Sequence, residues 1–203
     1  MKQVLTATNN RGKVDRYRRL LAGISGAPEL LTPAEAGIEP VETEETGETL
    51  EDNAYLKASA YLNVSQLPIL ANDTGFWVQG EGMINAPKRR ALGDRSAEDM
   101  SAEQLSRCLL DFWKGVAAYH GGKVPAAWVE SFVVLHPDGT YRVAHSRREV
   151  VLTDREFGTA PLQVPVRALY YSQATGKPAI LHTEEEELQE MEPVIQALKE
   201  VLL

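Results

Sequence analysis

The sequence predicts an α/β fold, and three observations carry that prediction. A short apolar run at 4–7 is followed by a polar turn and an amphipathic stretch at 13–21. A second helical stretch from residue 49 leads into the apolar run Ile69-Leu70-Ala71. Two strand-like runs, 128–135 and 140–146, flank the turn His136-Pro137-Asp138-Gly139. Strand, helix and strand in alternation argue for an α/β arrangement, and paired runs around an Asp-Gly turn argue for a hairpin. At 203 residues the chain has the length for one domain over 1–203, with room for two lobes around a cleft.

Each element has its own justification. After the strand at 4–7 comes the polar turn Thr8-Asn9-Asn10-Arg11-Gly12. In the helix behind it Val14, Tyr17, Leu20 and Leu21 fall at helical spacing, and Gly23 and Gly26 stop it. Residues 28–40 read as a strand and loop, and 42–48 as an acidic loop. Thr49 followed by Asp52 forms a capping box, and Leu50, Ala54, Leu56, Lys57, Ala58, Ala60 and Tyr61 carry that helix to about residue 64. The buried strand at 69–71 ends at Asn72-Asp73-Thr74-Gly75. Residues 80–95 are glycine-rich, then basic, and read as irregular. Ser101 with Gln104 is a second capping box, and Leu105, Cys108, Leu109, Phe112 and Val116 share one face of the helix it opens. Further strands fall at 149–153 and 168–171. The glutamates 184–187 cap an amphipathic helix at 188–203.

Composition excludes several classes. Hydrophobic residues make up 43% and charged residues 25%, as in ordinary globular proteins. The formal net charge of −8 would repel a nucleic-acid backbone, so no nucleic-acid partner is expected. No run approaches the roughly 18 apolar residues of a membrane span, and residues 1–8 read as a strand and not a leader. The single cysteine, Cys108, suits a reducing, cytoplasmic setting. His120, His136 and His182 lack metal-site spacing, and Trp77, Trp113 and Trp128 read as core or interface. An anionic small molecule remains open, given a local cluster of Lys, Arg and N–H groups and a divalent cation.

Three segments carry residue types suited to that chemistry. Thr8 to Lys13 joins a strand to a helix, whose N-terminal N–H groups and positive dipole end suit phosphate; equally, it reads as an ordinary polar loop. The loop Glu42 to Glu51 offers hard oxygen ligands for Mg²⁺, or carboxylates that merely favour the helix dipole behind them. Asp73 at a strand end points into a ligand crevice, or closes a turn on its own backbone.

Taken together, ATNNRGKV at 7–14, EETGETLEDNAYLKA at 44–58 and LPILANDTG at 67–75 resemble three signatures of the inosine triphosphate pyrophosphatase family. The match covers about the first 90 residues well. The resemblance implies a mixed central β-sheet flanked by helices, two lobes around a cleft, and a homodimer. It implies hydrolysis of nucleoside triphosphates, ITP, dITP or XTP, to monophosphate and pyrophosphate. By position, Thr8, Asn10 and Lys13 would bind phosphate, Lys57 would face the phosphates, and Thr74 and Gly75 would line the substrate. Glu44 and Asp73 would hold Mg²⁺ (or Mn²⁺), with Asp73 and Lys13 as the catalytic pair.

The chain departs from the family at several points. The first of two adjacent acids is Asn72. Lys88-Arg89-Arg90 follows Ala86-Pro87, and residues 157–166 lack a GFGYDP loop. No Ser-His-Arg element lies between 184 and 203, and His145-Ser146-Arg147 is a chance likeness. The phosphate half thus survives while the base-reading half is rewritten. Besides an active hydrolase, a nucleotide-binding protein without turnover and a hydrolase of another phosphorylated metabolite use the same residues.

Overall fold

The structure, a computed structural model, describes residues 2–203. Chain order is β1 (Gln3–Thr6), α1 (Arg11–Leu21), β2 (Glu29–Leu31), α2 (Leu50–Ser59), β3 (Ile69–Val78), β4 (Gly82–Ile84), α3 (Pro87–Leu92), α4 (Ala102–Tyr119), β5 (Lys123–Leu135), β6 (Tyr141–Thr153), β7 (Tyr170–Ser172) and α5 (Glu184–Leu202). The hydrogen-bonded strand order is β2-β1-β3-β5-β6-β7, with β4 paired to β3. β1 runs parallel to β2 and β3, while β3–β4 and β6–β7 are antiparallel. This is the mixed α/β sheet with helices that the resemblance implied.

Contacts divide the chain into two compact units. The first holds residues up to Thr74, Val129–Arg147 and Met191–Leu203. Here period-2 alternation along the strands makes two cores. Val4, Leu30, Leu70, Phe132 and Val134 pack with Val14, Tyr17, Leu20 and Leu21 of α1 and with Val194, Leu198 and Val201 of α5. Leu5, Ile69, Ala71, Val133 and Leu135 pack on the opposite face with Ala54 and Ala58 of α2 and with Tyr61. The sheet therefore has an α1 face and an α2 face in this unit. The second unit, Gly75–Trp128 with Arg148–Glu190, has its own core around Phe76, Val78, Trp113, Leu152, Leu169 and Tyr170.

Both expected capping boxes are present, Thr49 with Asp52 and Ser101 with Gln104. All four apolar positions expected on α1 are buried. Residues 80–95 are not irregular: 82–84 pair with the extension of β3 as β4, and Pro87 opens the helix α3. β5 starts at Lys123 and α5 at Glu184, both earlier than expected, so the four glutamates form the first turn of α5. Further elements differ from the sequence reading. β3 does not stop at residues 72–75 but continues to Val78, because Phe76 and Val78 bury in the second core. The runs at 140–146 and 149–153 are one strand, β6. α4 buries Ser106, Leu110, Trp113 and Ala117, one position off the expected stripe, since the Trp113 ring packs edge-on against Phe76 at 5.0 Å. α2 ends at Ser59, where tighter turns let Tyr61 bury and accept the Val41 N–H at 3.0 Å.

Candidate active site

The polar loop after β1 orders itself. Thr8 Oγ1 accepts from the Asn10 N–H at 3.2 Å, and Asn10 Oδ1 caps α1 by accepting from the Lys13 N–H at 3.2 Å. The Arg11 and Gly12 N–H groups remain at the positive end of the helix, an arrangement suited to an oxyanion. Lys13 is half-buried, and burial pushes its ammonium down to about 8. The Glu130 charge opposes that fall, Lys57 and Arg16 add to it, and Asp73 opposes it more weakly. Four charged groups of the first unit thus lie within electrostatic reach of Lys13.

On the α1 face the centre of this cluster is Glu130 in β5, whose side chain is fully buried. Its Oε2 accepts from Arg16 Nη2 at 3.3 Å and from Asn72 Nδ2 at 3.4 Å, and lies 3.4 Å from Thr74 Oγ1, whose one hydrogen it shares with Asn72 Oδ1. Asn72 Nδ2 also donates to the Ser131 carbonyl at 3.3 Å, and Asn72 Oδ1 accepts from Thr74 Oγ1 at 3.0 Å. Burial works against the Arg16 charge, and the neighbouring Glu130 and Tyr17 together more than restore it.

On the α2 face Asp73 meets α2. Lys57 Nζ lies 2.7 Å from Asp73 Oδ1 and 2.9 Å from Glu45 Oε1, and Asn53 Nδ2 lies 3.4 Å from Asp73 Oδ2. Burial alone would lower the Lys57 pKa, but its bonds to Asp73 and Glu45 outweigh that and hold it above the ordinary lysine value. The acidic loop is pinned against α2 by the Gly47 N–H, which donates to Asn53 Oδ1 at 2.8 Å. A Cβ at Gly47 would come within 2.5 Å of Asp52 Cβ, so only glycine permits this approach.

The donor chemistry fits a hard divalent cation. Asp73 and Glu45 already converge on one positive charge, the Lys57 ammonium, and both are oxygen donors. Glu44 is exposed and has no ion pair or hydrogen bond among the described residues. No group of three His, Cys, Asp or Glu side chains forms a metal cage among them either. Mg²⁺ takes one or two carboxylates and keeps several waters, so it needs no such cage.

The structure brings Lys57 and Asp73 into contact, places Lys13 within electrostatic reach of both, and orders Thr8 and Asn10 at the helix that carries Lys13. Among the described residues it shows no contact between Glu44 and Asp73; the acidic-loop residue that shares Lys57 with Asp73 is Glu45. Thr74 uses its hydroxyl on Asn72 and Glu130. Gly75 lies in the second unit, where a Cβ would sit 2.4 Å from Met83 Sδ, so packing against β4 accounts for the glycine. Sequence reading missed Arg16, Glu45, Asn53 and Glu130. Glu130 had a signal, a lone carboxylate inside the apolar run 126–135; Arg16 had none beyond its spacing of three from Lys13.

A family model described as the Ham1 family matches residues 4–112, more than half of the chain and all of this cluster except Glu130. The chain belongs to the Ham1 family. This Ham1 chain is 41% identical over 158 residues to a dITP/XTP pyrophosphatase of Symbiobacterium thermophilum, covering 78% of this chain and 74% of the relative. It is 30% identical to a dITP/XTP pyrophosphatase of Streptomyces coelicolor, covering 78% and 76%. Its fold is similar to that of a HAM1 protein from Coxiella burnetii, with a TM-score of 0.70, 18% identity, and coverage of 99% of this chain and 100% of that one. Among the described residues of the Ham1 chain no helix is long and apolar enough to cross a membrane.

Proposed function

We propose that this chain hydrolyses noncanonical purine nucleoside triphosphates to the monophosphate and pyrophosphate. The observation that carries the proposal is the meeting, within one unit, of a phosphate-suited helix start with the Lys13, Lys57 and Asp73 cluster. Relatives named dITP/XTP pyrophosphatase supply the substrate class.

In this reading the triphosphate lies against the start of α1, where Thr8, Asn10 and the free N–H groups orient its oxygens. Asp73 with a carboxylate of the acidic loop, Glu44 as the resemblance implies or Glu45, which shares Lys57 with Asp73, would hold a divalent cation, Mg²⁺ or Mn²⁺, which would supply charge neutralisation and a water of lowered pKa. Asp73 orients the attacking water and accepts its proton. The water oxygen bonds to the α-phosphorus, the bond from that phosphorus to the bridging oxygen breaks, and pyrophosphate leaves. Lys13 stabilises the charge that gathers on the leaving oxygens. Lys57 holds Asp73 and Glu45 with two of its three donors and offers the third to a phosphate oxygen. Positioning supplies most of the catalysis, as expected of phosphoryl chemistry.

The base-facing groups are a separate matter. Phe157, where the resemblance would begin a base-packing loop, instead packs on Tyr171 with ring centroids 4.5 Å apart. A site without base-bonding groups discriminates weakly, so a broad base preference is part of the proposal. So is a homodimer, which sedimentation equilibrium would test.

The test is a panel of ordinary and deaminated nucleoside triphosphates with Mg²⁺ or Mn²⁺, assayed separately for pyrophosphate and orthophosphate. Pyrophosphate release that disappears in Asp73→Asn is expected. Nucleotide binding without turnover, or orthophosphate as the sole product, refutes the proposal.

A further inference from the structure

The charge cluster holds two residues that the hydrolysis scheme does not use, Arg16 and Glu130. Resting on the phosphate-site reading above, we propose that Arg16 is a second phosphate-binding cation beside Lys13, held in position by the buried carboxylate of Glu130.

Four observations carry this. Arg16 stands three residues after Lys13 on α1, so the two side chains leave the same side of the helix one turn apart. That spacing suits a ligand with more than one phosphoryl group, where a single lysine serves only one. Second, Glu130 is fully buried, and the ion pair at 3.3 Å ties Arg16 to it. A buried carboxylate is costly unless paired and hydrogen-bonded, so its place in an apolar strand requires a reason. Third, the other donors on Glu130 Oε2 are Asn72 and Thr74, which flank Asp73. Glu130 therefore ties α1 to the strand segment that carries the reacting acid. Fourth, the guanidinium has five donors; Nη2 serves Glu130 and the group also interacts with Tyr17, which leaves donors over. With a quarter of its side chain exposed, Arg16 can also present its remaining edge to a ligand. Arg16 suits this role better than a lysine because its planar fork binds carboxylate and phosphate oxygens together.

An ion pair that only holds the fold predicts something different, and the test separates the two. Binding of inorganic pyrophosphate to the full chain is measured by calorimetry in EDTA, alongside thermal unfolding. The variants are Lys13→Met, Arg16→Gln, and the double variant Arg16→Gln/Glu130→Gln. The double variant keeps a neutral amide pair at the buried position and so preserves the fold. Arg16→Gln and the double variant are both expected to bind pyrophosphate at least 10-fold more weakly than wild type, and the double variant is expected to recover the thermal midpoint that Arg16→Gln loses. If the double variant recovers both stability and wild-type affinity, Arg16 is structural and the inference is overturned alone. If Lys13→Met also binds as wild type, the phosphate-site reading itself fails and the inference goes with it.

Discussion

Lys13→Met tests whether the site is built at the expense of the fold. Burial lowers the Lys13 pKa from its ordinary 10.5 to about 8. At 1.36 kcal/mol per pKa unit, holding that ammonium charged in the folded state costs on the order of 3 kcal/mol at pH 7. The sign follows from proton counting. Below pH 8 folded and unfolded chains both carry the proton and the whole penalty is felt. Between pH 8 and 10.5 the unfolded chain binds more protons, so stability rises with pH and the penalty fades. The value of about 8 already nets the Glu130 and Asp73 attraction against burial, so Lys13→Met removes that net penalty with no further charge contribution.

Discounted by about half because Lys13 is only half-buried, the expectation is a variant about 1–2 kcal/mol more stable than wild type at pH 7, or about 2–8 °C in Tm for a chain of this size. The advantage should shrink above pH 8 and vanish as the pH passes 10.5, where the wild-type lysine is neutral in folded and unfolded chains alike. Urea unfolding of both proteins from pH 6 to 10.5 in metal-free buffer measures the difference directly, because the other titrating groups are common to both. A stability difference that stays constant with pH, or a variant less stable at pH 7, refutes the reasoning. The same variant should lose pyrophosphate release, which makes it a stabilised but inactive protein.

Asp73→Asn should lower the turnover rate by about 10²–10³-fold, the scale on which a transition-state charge contact is lost, with far-ultraviolet circular dichroism unchanged. Gly47→Ala forces a Cβ within 2.5 Å of Asp52 Cβ and 2.8 Å of Asn53 Oδ1. It should cost about 1–3 kcal/mol as an overpacked contact and weaken Mn²⁺ binding, read by electron paramagnetic resonance, by moving the acidic loop. Thr49→Ala removes one side of the capping box of α2. Its expected cost is about 1 kcal/mol, or about 2–4 °C in Tm, with Mn²⁺ affinity retained.

Local rules made the elements legible. Ser101 and Thr49 announce helix starts through their own side chains, and both act as caps; Asn10 also caps α1, which starts at Arg11, two residues before the expected start. Lys13, Lys57 and Asp73 could be read as a group because their motifs lie close in sequence and in the expected order. What stayed hidden was non-local. Glu130 follows Asn72 by 58 residues, and nothing near it in the chain says which strand it will lie beside. The length of β3 was hidden for the same reason. A polar Asn-Asp-Thr-Gly segment looks like a turn by propensity, and only the second core, which buries Phe76 and Val78, keeps it extended.

That extension changes the meaning of Asn72. As parts of a turn, residues 72 and 73 would have shared one site, and an amide in place of an acid would weaken the cation held there. In a continuous strand successive side chains point to opposite faces. Asp73 therefore meets Lys57 and Asn53 of α2, while Asn72 points with Leu70 to the α1 side and meets Glu130. The acid that the family resemblance implies at 72 is missing from the α1 face, where the cations are Lys13 and Arg16, and not from the Asp73 face. On that α1 face a carboxylate is present all the same, arriving from β5 at 3.4 Å from the Asn72 amide. An acid at both 72 and 130 would place two buried negative charges in contact, which is strongly unfavourable. Asn72→Asp should accordingly destabilise the wild-type chain and be tolerated in Glu130→Gln. Thermal unfolding of the two singles and the double would show that coupling. Equal destabilisation by Asn72→Asp in both backgrounds would sever Asn72 from Glu130 and return the missing acid to the Asp73 side.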